Sequence, residues 1–122
     1  MVAPFSVDLA HVDGQTIVRF VGELDMSVVE RADLQARHAL ANDHSGPLII
    51  DVSELTFCDS SGIRMLLSLE AAAGQHGRDV LLRRPGRALR LIIETLGLDS
   101  HFQVEPSQYA QESGTTSAHS PG

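Results

Sequence analysis

Asp59, Ser60 and Ser61, in the segment FCDSSG (57–62), interrupt a run that is apolar on both sides. A carboxylate beside two hydroxyls suits three kinds of chemistry. It can cap a helix, because Asp and Ser side chains accept from the free N–H groups of a first turn. It can hold a nucleophilic serine where a base and an oxyanion hole stand close by. It can also present a hydroxyl for modification.

Enzyme signatures fit poorly. The G-x-S-x-G elbow of serine hydrolases is absent, since Ser60 lies in C-D-S-S-G, and none of the six histidines stands at a spacing that marks a partner. With one cysteine and neither H-x-x-x-H nor H-E-x-x-H, no metal site is expected, and no cofactor. The acid-ending strand LIIDVSE (48–54) lacks the G-x-x-x-x-G-K-[ST] loop that a nucleotide triphosphatase would need. A phosphoaspartate receiver domain would carry a late lysine, and all nine basic residues here are arginine. Capping explains one of the polar residues at 59–61 well and two adequately. It does not explain a second acidic segment, VGELD (21–25).

The elements that must position these groups can be read from pattern. FSVDLA (5–10) and QTIVRFVG (15–22) read as strands of a hairpin turning at Asp13-Gly14. Ser27 and Glu30 suggest a capping box for a helix with Val29, Ala32, Ala36 and Leu40 on its apolar face, stopped by Gly46 and Pro47. PLIIDVSEL (47–55) reads as a buried strand and 62–77 as a second helix. DVLLRR (79–84) is another strand, 85–98 a third helix opened by Pro85, and HFQV (101–104) a last strand. The result is an α/β fold, a mixed four- to five-stranded sheet with helices packed on it. Helical crossovers make the second, third and fourth strands parallel, with right-handed connections.

Functional groups of such sheets gather beyond the carboxyl ends of the strands. One crossover joins VGELD to FCDSS, so Gly22, Glu23, Asp25, Asp59 and Ser60 are expected near one another, as an acidic rim beside a serine at a helix start.

At 122 residues the chain is expected to be one domain over 1–110 with a flexible tail over 111–122; within the final eighteen residues a helical turn or two is expected over 106–113 and disorder over 114–122. Sixteen acids against nine bases give a net charge of −7, which disfavours nucleic acid as a direct partner. No run reaches the roughly 20 apolar residues of a membrane span. The start MVAPFSVDLA does not read as a secretory signal, and Cys58 has no disulfide partner, so a cytoplasmic location is expected. The arginines at 78, 83, 84, 87 and 90 read as a solvated helix face and strand end.

GELD (22–25), LIIDVSELTFCDSSGIRMLL (48–67) and GLDSHFQV (97–104) together resemble a bacterial anti-sigma factor antagonist, a single STAS domain. The likeness covers about residues 5–110, and D-S-S-G after DVSELTF is its most specific part. It implies a STAS-type fold and a partner-switching role without enzymatic activity. The unphosphorylated form would bind an anti-sigma factor serine kinase and release a sigma factor. That kinase would phosphorylate Ser60, blocking binding, and a PP2C-type phosphatase would reverse it. The implied partner surface takes in Gly22, Glu23, Asp25, Asp59, Ser60, Ser61 and Gly62. Arg64 departs from the family pattern, standing where small residues are common. A STAS scaffold or transporter-accessory module that is never phosphorylated is the alternative.

Overall fold

The computed structural model describes residues 4–42 and 46–105. The expected tail at 111–122 and the helical turn over 106–113 lie outside them. Strands β1 (Ser6–Val12) and β2 (Gln15–Leu24) form the expected antiparallel hairpin. Its tip works because Asp13 and Gly14 both accept positive φ, 52° and 77°, as a two-residue primed turn requires. Helix α1 (Val29–Asn42) crosses to β3 (Leu48–Cys58), α2 (Ser60–Gln75) to β4 (Val80–Arg83), and α3 (Arg87–Thr95) with a 3-10 turn at Leu98–Ser100 to β5 (Gln103–Val104). The sheet order is β1-β2-β3-β4-β5, parallel from β2 onward.

Right-handed crossovers that always step the same way put every helix on one face. Burial agrees. Val18, Phe20 and Leu24 of β2, Ile50 and Val52 of β3 and Leu82 of β4 share one core with Ala32 and Ala36 of α1, Leu66 and Leu69 of α2, and Ile93 of α3. The small alanines let α1 lie close to the sheet. On the helix-free face, Arg19 of β2 reaches Asp8 of β1 at 3.9 Å, and Arg84 reaches the buried Asp51 of β3 at 3.4 Å. Among the described residues no helix is long and apolar enough to cross a membrane.

Three expectations shift in detail. α3 begins at Arg87 with Gly86 as its N-cap, so Pro85 precedes the helix rather than opening it. The arginine cluster is less solvated than expected: Arg78 is buried and donates to the carbonyls of Gly46 (2.8 Å) and Leu40 (3.2 Å), and Arg90 donates to that of Glu105 (2.8 Å). β3 runs to Cys58, three residues beyond its expected end at 55, because β2 keeps pairing with it through two register shifts, as far as Leu24↔Cys58. That extension carries the chain directly into the polar segment.

Candidate functional site

The carboxyl ends of β2 and β3 meet where the serines lie. The Asp59 N–H donates to the Leu24 carbonyl at 3.2 Å, and the Thr56 hydroxyl donates to the Gly22 carbonyl at 3.1 Å. The loop after β2 and the start of α2 therefore form one rim, as the topology required.

Asp59 caps α2. Its Oδ1 accepts from the backbone N–H groups of Ser61 (3.0 Å) and Gly62 (3.1 Å) and from the Ser61 hydroxyl (2.6 Å). The Ser61 hydroxyl foremost, then the Gly62, Ser61 and Met26 N–H groups, hold this carboxyl below the ordinary carboxylate range, against a smaller opposing effect of desolvation. Ser60 is the first residue of α2; its side chain is exposed and makes no hydrogen bond among the described residues. The adjacent Ser61 is half-buried and already committed to Asp59.

Asp25 does for α1 what Asp59 does for α2. Its Oδ1 accepts from the Ser27 N–H (3.0 Å) and the Ser27 hydroxyl (2.6 Å), while its carbonyl accepts from the N–H groups of Val28 (3.1 Å) and Val29 (3.0 Å). The capping expected of Ser27 and Glu30 is taken by Asp25, whose carboxylate and carbonyl accept from the N–H groups of Ser27, Val28 and Val29. Asp25 is half-buried within its own turn, so the acidic rim is less open than expected.

The other expected residues shape the rim from beneath. Gly22 is buried at φ 102°, and a Cβ there would stand 3.2 Å from the Phe5 Cα. Only glycine suits that backbone. Gly62 is buried too, where a Cβ would meet the Cys58 Sγ at 2.7 Å and Leu24 at 3.0 Å, so α2 closes tightly on the strand ends. Glu23 alternates with the core residue Leu24 and so points to the helix-free side. Cys58 is packed among apolar groups; burial first, then the Asp59 charge, pushes its thiol up to about 12, which leaves it protonated at neutral pH and a poor nucleophile.

Two exposed apolar side chains beside this rim went unnoticed in the sequence. Met26 is 75% exposed and Phe57 50%. A signal for Met26 was present: DMS (25–27) repeats the D-x-S pattern of DSS (59–61).

Among the described residues no cluster of His, Cys, Asp and Glu could hold a metal ion. What remains is a hydroxyl on a helix start, flanked by a capped carboxylate and an exposed methionine.

This chain belongs to the STAS domain family: the family model described as Mlab, STAS domain, matches residues 7–105. It is 24% identical over 100 residues to an anti-sigma F factor antagonist of Paenibacillus polymyxa, covering 82% of this chain and 83% of that one. Its fold matches an anti-sigma factor antagonist from Mycobacterium paratuberculosis with a TM-score of 0.77 at 24% identity, over 98% of this chain and all (100%) of the other. The Bacillus cell fate determinant SpoIIAA in its phosphorylated form matches with a TM-score of 0.64 at 21% identity, over 89% of this chain and 97% of that one.

Proposed function

We propose that this chain is an anti-sigma factor antagonist that works by partner switching, with Ser60 as its phosphorylated residue. The relatives above support the general role. The observation that carries the finer reading is the division of labour between the two serines: the Ser61 hydroxyl is held by Asp59 at 2.6 Å, while the Ser60 hydroxyl is exposed on the first residue of α2. That SpoIIAA has a phosphorylated form of the same fold is consistent with such a switch.

The unphosphorylated surface binds an anti-sigma factor with serine kinase activity, and this binding frees a sigma factor. Phosphorylation of Ser60 adds about −1.5 to −2 charges and three acceptor oxygens near neutral pH. The fold accepts that charge, because it lands at the positive dipole end of a 16-residue helix. Arg64 is exposed four residues along the same helix and so stands on the same side as Ser60. The partner has no such welcome: a phosphate desolvated without a cation at an interface costs several kcal/mol. A loss of about 2.8 kcal/mol is already a hundredfold in affinity. A PP2C-type phosphatase restores the binding form. The protein itself acts by contact and catalyses nothing, and the cytoplasm is where it works.

The test is incubation with ATP and the candidate kinase, followed by intact mass and phosphopeptide mapping. One phosphate on Ser60 is expected, with partner affinity falling at least a hundredfold. Ser60→Ala should remain unmodified and bind constitutively. A phosphate on Ser61 or Ser53 would overturn the assignment, and no phosphate with any kinase would favour the unmodified scaffold.

A further inference from the structure

β3 and β4 separate at the carboxyl end of the sheet. They pair only over Leu48↔Val80 to Asp51↔Arg83, whereas β3 continues to Cys58 with β2 alone beside it. β4 stops because Arg84 turns to a φ of 53° and Pro85, which has no N–H to donate, follows. Beyond Asp51 the β4-side edge of β3 has no strand partner among the described residues. A crevice of about 400 Å³ opens there.

Four successive residues of β3, 55–58, line this crevice. The pairing of β3 with β2 shifts between Leu55 and Phe57, and residues on both sides of that shift border the space along the edge that β4 leaves open. The facing wall is the first turn of α3 at Ala88, with Ile92 one turn further on. The crevice is a strand position left vacant.

We propose that this vacancy receives an extended segment of the bound partner, which adds to the β3 edge as a further strand. The proposal rests on the anti-sigma reading for the partner's identity. An unpaired strand edge supplies alternating N–H and C=O groups that only another backbone matches in series. Leu55, Phe57 and Ile92 make the lining apolar and suit branched aliphatic side chains. In a chain of net charge −7, the charged side chain that borders the crevice is an arginine, Arg87. The fitting segment is therefore aliphatic with acidic residues beside it. Its seat ends at Cys58, two residues before Ser60, so one partner covers the strand edge and the serine together.

The test uses the unphosphorylated full chain, labelled with nitrogen-15, and two synthetic probes: acetyl-Asp-Val-Ile-Val-Glu-amide and its Lys-ended counterpart, acetyl-Lys-Val-Ile-Val-Lys-amide. The acidic peptide should shift the amides of 54–58 and 87–92 and bind at least tenfold more tightly than the basic one. Ala88→Trp, which fills the crevice from an exposed helix position, should abolish those shifts while leaving melting unchanged. Phe57→Asp, also at an exposed site, should do the same. With the anti-sigma kinase as probe, Ala88→Trp should lower affinity at least tenfold with Ser60 unmodified. Equal binding of both peptides, shifts elsewhere, or shifts at 54–58 that grow with protein concentration alone would each overturn the proposal, the last by assigning the edge to a second copy. If no anti-sigma factor binds the wild-type chain, the partner reading fails by itself and the peptide titration still decides the crevice.

Discussion

The turns at Asp25-Met26-Ser27 and Asp59-Ser60-Ser61 are built alike. In each, the aspartate Oδ1 accepts from the N–H and the hydroxyl of the serine two residues on, at 3.0 and 2.6 Å in both cases. In each, the middle residue is left exposed. They differ in what that middle residue is and in where the helix begins. Ser60 is itself the first residue of α2, whereas Met26 stands three residues before Val29, the first of α1. One turn presents an apolar side chain to solvent. The other presents a hydroxyl on a helix terminus, the one place of the two where an added phosphate gains from the dipole. The lesson is that a D-x-S turn is a display device, and the displayed residue and its distance from the helix decide its use.

Met26→Ser breaks the comparison most severely, because it makes the two turns identical in sequence. Removing an exposed methionine from the contact surface should cost about tenfold in partner affinity, roughly 1.4 kcal/mol. Stability should stay within about 0.5 kcal/mol, as expected for an exposed substitution. Incubated with the kinase, the variant should still gain a single phosphate, on Ser60. Two phosphates by intact mass would show that the kinase reads the turn without the helix, and unchanged affinity would make Met26 a bystander.

Much of this arrangement was legible before the structure. Asp13-Gly14 fixed the hairpin, and helical crossovers brought GELD and CDSSG to one edge. What stayed hidden depended on choices between local signals of similar strength. At the start of α1, Asp25 and the Ser27–Glu30 pair are both plausible caps, and only the geometry shows that Ser27 donates to Asp25. Glu54 and Thr56 look like the end of a strand, yet register shifts against β2 carry the pairing on to Cys58. The crevice beside that extension depends on the left-handed Arg84, a conformation that a non-glycine residue does not advertise.

The two caps can be separated next. Asp25→Ala should destabilise the fold by about 1 kcal/mol, the usual value of a capping side chain. Asp25→Asn keeps the acceptor and should restore most of it, so a binding defect in Asp25→Asn reports the charge alone. Equal melting of the alanine and asparagine variants would show that the turn holds without its side chain. For Asp59 the sign follows from its lowered pKa. A carboxylate stabilised in the folded state contributes fully above the unfolded value near 3.9 and loses that contribution as pH falls through the lower folded value. The melting deficit of Asp59→Asn against wild type should therefore be constant near neutrality and shrink below about pH 4. A deficit that persisted unchanged to pH 2 would mean that the hydrogen bonds, not the charge, carry the cap.

The smallest effect concerns Arg64, which has a counterpart at only one of the two turns. Four residues beyond Met26 lies Glu30, an acid, whereas four beyond Ser60 lies Arg64. Arg64 is exposed and forms no ion pair among the described residues, so before modification it has little to stabilise. After modification it faces a doubly charged acceptor at helical i,i+4 spacing, where exposed ion pairs are worth about 0.3–0.5 kcal/mol. Arg64→Ala should accordingly leave the melting of the unphosphorylated chain unchanged and lower that of the phosphorylated chain by about 1–4 °C, since 1 kcal/mol shifts a domain of this size by roughly 4–8 °C. The difference should fade with added salt, because both groups are exposed. Equal melting of the two phosphorylated proteins at low salt would leave the helix terminus as the sole cation-like partner of the phosphate. The basic residue would then serve the partner's surface instead.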